Sequence, residues 1–272
     1  MVEYCKEYSE FEMMLIVAAR EIKDGDVVFN AFQWPFLAVY MAFKLHAPNI
    51  SMVFETGTCH DYMDVNKMPF SLVDPVIPPT ATFIGDSLDS LAFLQRGDID
   101  IALLAASILD KYGNCNTTVI GDYNKPIIRL PGGGGATDIA VLAKRIVWLL
   151  DEHSKRRLVN KVDFITDLGH FNGADSRFKA GFTTTKGPDA IITPLCTLRF
   201  DPDTKEAYLA ALHPGVKVEQ VKQKTGWDLK VADDVEQNAP PTLEEIEVCR
   251  RTMKDAMEQF YILKPEWTKY IK

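Results

Sequence analysis

Short β-branched runs alternate with longer segments of helical periodicity along this chain, and this alternation restricts the possible folds. The runs DVVFNAF, ISMVFETG and IDIALLAAS each contain a short stretch of consecutive apolar residues, as in strands that are covered on both faces of a sheet. Between the runs, WPFLAVYMAFKLHA has the composition of a helix entered through Pro35. Strands alternating with helices predict an α/β fold with a mostly parallel open sheet flanked by helices.

Further elements follow the same reasoning. Segment 9–22 predicts a helix, because Ser9 and Glu12 have the spacing of a capping box. The run IAVLAKRIVWLLDEH predicts another helix, and VDFITD predicts a strand. AIITPLCTLRFD and EAYLAALHP predict strands joined as a hairpin across residues 201–205, and from Val218 onward a helical C-terminus is expected, with Thr242 as an N-cap.

Composition limits the class of protein. With 272 residues, of which 47% are hydrophobic and 25% charged, the chain matches a globular protein, and we expect one subunit domain over residues 1–272 or two fused lobes. The net charge of -8 disfavours a nucleic-acid partner, because phosphate backbones favour clustered Lys and Arg.

The cysteines and the N-terminus point to a compartment. The five cysteines are scattered and never spaced as Cys-x-x-Cys, so neither a disulfide framework nor a metal site is expected, and a reducing cytoplasm fits them best. The N-terminus differs from a signal peptide, and no run reaches the ~18 consecutive apolar residues of a membrane helix. We therefore expect a cytoplasmic protein without a membrane association.

Glu55 is the first candidate site residue. It follows the apolar run SMVF at the carboxyl end of a predicted parallel strand, where open α/β sheets place their ligands. Strands disfavour Glu, and burial of an unpaired carboxylate is costly. Glu55 therefore either turns out to solvent or serves a site.

A run of four glycines, Gly132, Gly133, Gly134 and Gly135, lies between an apolar strand and a predicted helix. Glycine lets backbone amides approach a ligand closely, so this loop is a candidate for binding an oxyanion or a phosphate. A structural turn is the alternative. A dinucleotide-binding loop is a third interpretation, but Thr137 occupies the position of its third glycine.

Other segments allow both a structural and a functional interpretation. Asn114 and Asn116 flank a cysteine in DKYGNCN, where their amides can satisfy loop backbone. Cys59 and His60 are neighbours, which an extended chain directs to opposite faces, so a thiolate–imidazole pair is disfavoured. The basic run 155–157 is either a solvated helix end or a clamp for phosphates.

The order of these segments resembles a known family. ETG at 55–57, DKYGNCN at 110–116, GGGGA at 132–136, KRRLVNKVDFIT at 155–166 and LHPGVKVEQVKQKTGWDL at 212–229 span nearly the whole chain. In this order they resemble the β-type subunit of class I CoA-transferases of the glutaconate CoA-transferase type.

The resemblance implies a function. It implies that CoA moves between carboxylic acids through a glutamyl-CoA thioester on Glu55, with the glycines of the loop binding CoA or the oxyanion. It also implies a homologous α subunit as partner in an αβ assembly, CoA as substrate, and no tightly bound cofactor or metal.

The chain departs from the family pattern in three segments. Residues 30–34 replace a glycine-rich turn and end in the bulky Trp34, Ile108 replaces a polar amide, and Thr56 stands where Ser or Asn is usual. We expect Trp34, Thr56, Ile108, Asn114 and Asn116 to shape the substrate pocket. A CoA-thioester hydrolase, a C–C hydrolase or a decarboxylase on the same scaffold, and a non-catalytic subunit that binds CoA or a nucleotide, are the alternatives.

Overall fold

A computed structural model describes residues 2–32, 34–63, 69 and 71–260 of the chain. The α-helices of this described part are α1 (Glu10–Arg20), α2 (Trp34–Leu45), α3 (Ser87–Arg96), α4 (Ala136–Leu142), α5 (Ser176–Lys179), α6 (Val218–Lys224) and α7 (Leu243–Phe260). Its strands are β1 (Val27–Asn30), β2 (Ser51–Phe54), β3 (Thr58–His60), β4 (Phe83–Ile84), β5 (Ile101–Ala105), β6 (Ile108–Asp110), β7 (Cys115–Asn116), β8 (Val119–Gly121), β9 (Pro126–Arg129), β10 (Arg145–Leu149), β11 (Leu158–Val159), β12 (Pro188–Ile192), β13 (Cys196–Phe200), β14 (Ala207–Leu212) and β15 (Lys230–Gln237).

The chain divides into two compact units. The first contains the described residues up to Leu103 and from Ala239 onward, and the second contains Leu104–Asn238. The single subunit domain expected over 1–272 stays a prediction.

The first unit is built on strands in the order β5-β1-β2-β3-β4. The central strand β1 is parallel to both β2 and β5, while β3 and β4 continue the sheet antiparallel. Val28 and Phe29 are fully buried, as expected for a strand covered on both faces. The parallel strands predicted from the sequence are therefore confirmed here.

Helices α1, α2 and α7 pack against one another in the first unit. The predicted capping box of α1 is present, since Ser9 Oγ accepts from the Glu12 backbone N–H and the Glu12 carboxylate accepts from the Ser9 N–H. The predicted N-cap of α7 is also present, because Thr242 Oγ1 accepts from the Glu245 N–H at 3.1 Å. These caps satisfy amides that each helix start leaves free.

The second unit has a sheet in the order β15-β14-β13-β12-β10. The pairs β10–β12 and β14–β15 are parallel, and β12–β13 and β13–β14 are antiparallel. The predicted hairpin across 201–205 is confirmed, closed by the Lys205 N–H donating to the Asp201 carbonyl at 3.0 Å. The fold class expected from the sequence, a mostly parallel α/β fold with a hairpin and a helical C-terminus, is confirmed.

Several element predictions in the second unit are wrong. The predicted helix 139–153 ends at Leu142, and its second half forms the buried strand β10. A short run that is apolar on all sides fits a buried strand and a buried helix equally well, which explains the error.

AIITPLCTLRFD forms two antiparallel strands, β12 and β13, instead of one. VDFITD is not a strand, because only its end is paired, through a single isolated bridge between Asp167 and Cys115 of β7. The strand β15 lies in a region expected to be helical.

No helix in the described part of the chain has the length and apolarity to cross a membrane.

Candidate active site

Glu55 lies directly after β2, at the carboxyl end of a parallel strand, as the sequence predicts. Its side chain is half-buried. No residue that the structure describes forms a hydrogen bond or an ion pair with its carboxylate. A carboxylate in this position keeps its lone pairs for an electrophile or a hydrogen-bond donor of a ligand.

The backbone that carries Glu55 is a tight turn. The Gly57 N–H donates to the Phe54 carbonyl at 2.9 Å, which closes the turn between β2 and β3. The Ser90 hydroxyl donates to the Glu55 carbonyl at 2.7 Å. The turn is thus fixed on two sides while its carboxylate is left open, which suits a group that must meet a reacting carbon in one geometry.

Gly57 is required by the packing of this turn. Its φ is +102°, a conformation that L side chains rarely adopt, and a Cβ placed on it would lie 2.4 Å from the backbone N and O of Asp86. The Gly85 N–H donates to the Gly57 carbonyl at 2.9 Å and draws the two backbones together. The packing of the turn therefore explains why the E-T-G sequence has a glycine at this position.

Thr56 and Trp34 lie in the same unit as Glu55. The Thr56 hydroxyl donates to the Leu72 carbonyl at 2.9 Å, so its oxygen anchors a neighbouring loop. Trp34 is the first residue of α2 and is half-buried. Their role in a substrate pocket stays a prediction.

The Cys59–His60 pair does not form a nucleophile. Burial raises the pKa of Cys59, with further contributions from Asp61 and Asp89, and a thiol with a raised pKa is a poor nucleophile at neutral pH. His60 is fully buried and faces Thr80, with 3.4 Å between Nδ1 and the hydroxyl oxygen. This geometry agrees with the opposite faces expected from the sequence.

The glycine loop lies in the second unit. Gly132 and Gly134 have φ of +95° and +53°. The Gly132 N–H donates to the Thr117 carbonyl at 2.7 Å, whereas none of the described residues accepts a hydrogen bond from the N–H groups of Gly133, Gly134 and Gly135. Three backbone donors are therefore available to a ligand, and Gly132 anchors the loop.

Asp167, which the sequence did not single out, packs beneath this loop. A Cβ on Gly133 would lie 2.9 Å from Asp167 Oδ1 and 2.8 Å from Thr137 Oγ1. Burial raises the pKa of Asp167 to about 6. No local sequence signal marks this residue, because its position depends on the path of the chain after β11.

The two asparagines of DKYGNCN are bonded to the protein itself. The Asn114 amide donates to the Asp110 carboxylate and to the Phe171 carbonyl, and its oxygen accepts from the Gly169 and Phe171 N–H groups. The Asn116 amide donates to the Val119 carbonyl at 2.6 Å. These contacts agree with the structural alternative, and a role toward substrate stays a prediction.

Ile108 and Asn116 are brought opposite each other as register partners in the antiparallel pair β6–β7. In the basic run 155–157, Arg157 pairs with Asp151 at 2.7 Å and Arg156 with Glu152 at 2.9 Å. These pairs occupy two of the three charges that a phosphate clamp would use.

Comparison with known proteins assigns the family. A family model described as coenzyme A transferase matches residues 11–224. This chain belongs to the coenzyme A transferase family. The predicted resemblance is therefore confirmed.

Individual relatives of this coenzyme A transferase cover most of its length. It is 41% identical to the B subunit of 3-oxoadipate CoA-transferase from Pseudomonas knackmussii, over 89% of this chain and 92% of the relative. It is 34% identical to the B subunit of glutaconate CoA-transferase from Acidaminococcus fermentans, over 88% and 90%. The crystal structure of glutaconate coenzyme A-transferase from the same organism matches with a TM-score of 0.81 and 30% identity, covering 99% of each chain.

Metal ligands do not cluster in the part of this coenzyme A transferase that the structure describes. Among the described residues, no group of three or more His, Cys, Asp or Glu side chains is arranged to hold a metal ion. The buried histidines bond to the protein: His153 Nδ1 lies 2.9 Å from Thr193 Oγ1, and His170 Nε2 lies 2.9 Å from the Pro188 carbonyl.

Proposed function

We propose that this chain is the β-type subunit of an acyl-CoA:carboxylate CoA-transferase that works through a glutamyl-CoA thioester on Glu55. The observation that carries the proposal is the half-buried Glu55 carboxylate, which no described residue binds, on a turn fixed by Ser90 and Gly57. Membership of the coenzyme A transferase family supports the transfer of CoA as the reaction.

The reaction divides into balanced steps. The Glu55 carboxylate attacks the thioester carbonyl, a tetrahedral oxyanion forms, and the C–S bond breaks to give an acyl-glutamyl anhydride and CoA thiolate. The thiolate then attacks the glutamyl carbonyl and releases the donor acid as a carboxylate. An acceptor carboxylate attacks the resulting glutamyl thioester, expels CoA thiolate and forms a second mixed anhydride with Glu55. The thiolate then attacks the acceptor carbonyl of this anhydride, which gives the new acyl-CoA and frees the Glu55 carboxylate. Covalent catalysis replaces one difficult transfer by easier steps.

Each tetrahedral intermediate needs hydrogen-bond donors for its oxyanion. Backbone N–H groups that make no bond within the protein are suited to this task, because they are already oriented and lose no partner. Gly133, Gly134 and Gly135 carry such groups, so we assign the oxyanion or CoA contact to them. Gly132 keeps its anchoring bond to Thr117.

For the substrate, we propose a dicarboxylic acid. The relatives at 41% and 34% identity are named for 3-oxoadipate and glutaconate, which are both dicarboxylic acids. Since both relatives are named as B subunits, we propose an α-type subunit as the partner in an αβ assembly. Residues Trp34 and Ile108 are proposed to shape the pocket for the acyl chain.

Glu55→Gln tests the chemistry. The amide keeps the shape of the side chain but removes the nucleophile, so the assembled enzyme should lose CoA transfer by at least about 10³-fold. Incubation of the unmodified enzyme with acyl-CoA and borohydride should reduce a thioester at Glu55, which peptide mass spectrometry locates. Glu10→Gln, at an exposed acid in the same unit, is the control and should keep full activity.

A fully active Glu55→Gln variant with an unmodified Glu55 peptide would refute the proposal. Hydrolysis on the same scaffold is distinguished by the fate of CoA. A CoA-transferase converts a labelled acceptor acid into its CoA ester. A CoA-thioester hydrolase releases free CoA whether or not an acceptor is present. A decarboxylase releases carbon dioxide instead.

A further inference from the structure

The side chain of Asn30 is buried without a hydrogen-bond partner. It is fully buried, and neither its amide nitrogen nor its amide oxygen bonds to a residue that the structure describes. Burial of an unpaired amide destabilises a fold, so buried polar side chains are nearly always hydrogen-bonded. An unpaired donor of this kind is explained when it serves a ligand or a reaction.

The neighbours of Asn30 on its face of the sheet are apolar. Asn30 ends β1, and its register partners are Leu103 on β5 and Phe54 on β2, which are both buried. Residues that pair across parallel strands lie on the same face of the sheet. Helix α2 covers this face, since the Phe36 ring lies 5.6 Å from the Phe54 ring. In these surroundings an apolar residue at position 30 would give the more stable strand.

Asn30 lies at the same edge of the sheet as Glu55. Phe54 directly precedes Glu55, and with strands roughly 4.8 Å apart and a rise of roughly 3.3 Å per residue, the Cα atoms of Asn30 and Glu55 lie about 6 Å apart. Carboxyl ends of parallel strands are the edge at which open sheets bind ligands. Helix α2 begins at Trp34, shortly after Asn30, so the positive end of its dipole favours negative charge at this edge.

The proposed reaction creates an oxyanion on the Glu55 side chain itself. When CoA thiolate attacks the acyl-glutamyl anhydride, and again when the acceptor carboxylate attacks the glutamyl thioester, the glutamyl carbonyl oxygen takes up the negative charge. Its hydrogen-bond donors must lie beside Glu55, because the oxygen belongs to that residue. Asparagine amides are among the donors that stabilise such oxyanions. A donor that is unpaired in the free enzyme and bonded in the transition state lowers the barrier.

We propose that Asn30 is a catalytic residue whose side-chain amide donates a hydrogen bond to the oxyanion on the glutamyl carbon of Glu55. This inference rests on the proposed function and adds to it a donor from the unit that carries Glu55. No proton is transferred, because the N–H stays on the amide while the negative charge forms and collapses. The N–H groups of Gly133, Gly134 and Gly135 are then left for the acyl carbon and for CoA.

Asn30→Val and Asn30→Asp, each in the chain assembled with its partner subunit, test this role. Valine suits a buried strand and removes a polar group that has no partner, so Asn30→Val should raise the midpoint of urea unfolding. It should also lower kcat about 10²–10³-fold and leave KM for acyl-CoA unchanged. Asn30→Asp keeps the shape of the side chain but replaces the donor by a second negative charge, so kcat should fall at least as far.

Asn49→Val is the matched control. Asn49 is exposed at the amino end of β2, and its amide donates to the Asp24 carboxylate at 2.8 Å. The same substitution there should lower the urea midpoint slightly and leave kcat unchanged, because Asn49 lies at the opposite end of the strand from Glu55. A gain in stability together with a loss of kcat at Asn30 distinguishes catalysis from a structural role, since the loss of a structural contact lowers both.

Borohydride labelling separates this inference from the proposed function. The unmodified enzyme should be labelled at Glu55, and Asn30→Val should form the labelled thioester about 10²-fold more slowly. Labelling at equal rates with an unchanged kcat would overturn the role of Asn30 and keep the transferase mechanism. An unmodified enzyme whose Glu55 is never labelled would refute the proposed function, and with it the oxyanion that Asn30 is to bind.

Two further outcomes also overturn the role of Asn30. A raised KM with an unchanged kcat in Asn30→Val would assign the amide to binding of the acyl group in the ground state. A fall in both kcat and the urea midpoint would assign it to the packing of β1.

Discussion

Replacement of Gly57 by alanine is the sharpest test of how the turn at Glu55 is built. Two costs combine in Gly57→Ala. A φ of +102° in a residue with a Cβ costs about 1–3 kcal/mol, and the new methyl group would lie 2.4 Å from the Asp86 backbone. The contacted atoms are backbone, so they cannot swing away as a long side chain would, and overpacking of this kind adds about 1–3 kcal/mol.

We therefore expect Gly57→Ala to lower the free energy of unfolding by about 2–6 kcal/mol. Two glycines of the same unit separate the two costs. Gly25 and Gly97 also have positive φ, of +86° and +78°, but a Cβ on either meets no atom within 4 Å. Gly25→Ala and Gly97→Ala should therefore show the conformational cost alone, about 1 kcal/mol.

Urea denaturation of the three variants, followed by circular dichroism, measures the difference. The transferase rate of folded Gly57→Ala should also fall, because a displaced turn moves the Glu55 carboxylate, and a displacement of about 1 Å can cost roughly 10²-fold in rate. If Gly57→Ala costs no more than the two open glycine variants and keeps its rate, the close approach to Asp86 does not define the turn.

Two further predictions concern buried charges. Arg250→Ala should destabilise the chain by about 3–5 kcal/mol, because it leaves the fully buried Glu12 carboxylate without the guanidinium 2.8 Å away. Arg251→Ala, at an exposed pair with Glu247, should cost under about 1 kcal/mol. Equal urea midpoints for the two variants would contradict this prediction. Asp167, with its pKa raised by burial to about 6, binds a proton in the native state that the unfolded chain releases near pH 4, so its contribution to stability falls as pH rises between these values. Asp167→Asn should remove this loss, which is roughly 3 kcal/mol. Compared with the unmodified protein, the variant should therefore gain more in melting temperature at pH 7 than at pH 4. A variant whose stability depends on pH as that of the unmodified protein does would refute this prediction.

The elements that the sequence predicted correctly share a physical reason. The first helix, the parallel strands beside it and the start of α7 each depend on local signals: a capping box, a β-branched run or an N-cap. Glu55 was placed at the carboxyl end of β2 by the same pattern. Local signals suffice wherever a segment of ten or so residues carries both its own boundaries and its own periodicity.

The failures have a different cause. The four residues IVWL of β10 are all buried, so no polar face reveals whether their period is that of a strand or a helix. VDFITD was expected to pair as a strand, yet only its end is paired, through a single bridge between Asp167 and Cys115 of β7. The choice between such outcomes is made by distant backbone groups, which a local pattern does not contain.

Local patterns and the order of the motifs were sufficient to predict the α/β class, the candidate nucleophile Glu55, the glycine loop and the family. Which polar groups are bonded within the protein, and which are left for a ligand, became visible in the folded chain. The folded chain shows Gly132 anchored to Thr117, and the Asn114 side chain bonded to the N–H and the carbonyl of Phe171. The physical reason is that hydrogen-bond partners lie up to dozens of residues apart, so the availability of a group is a property of the folded chain.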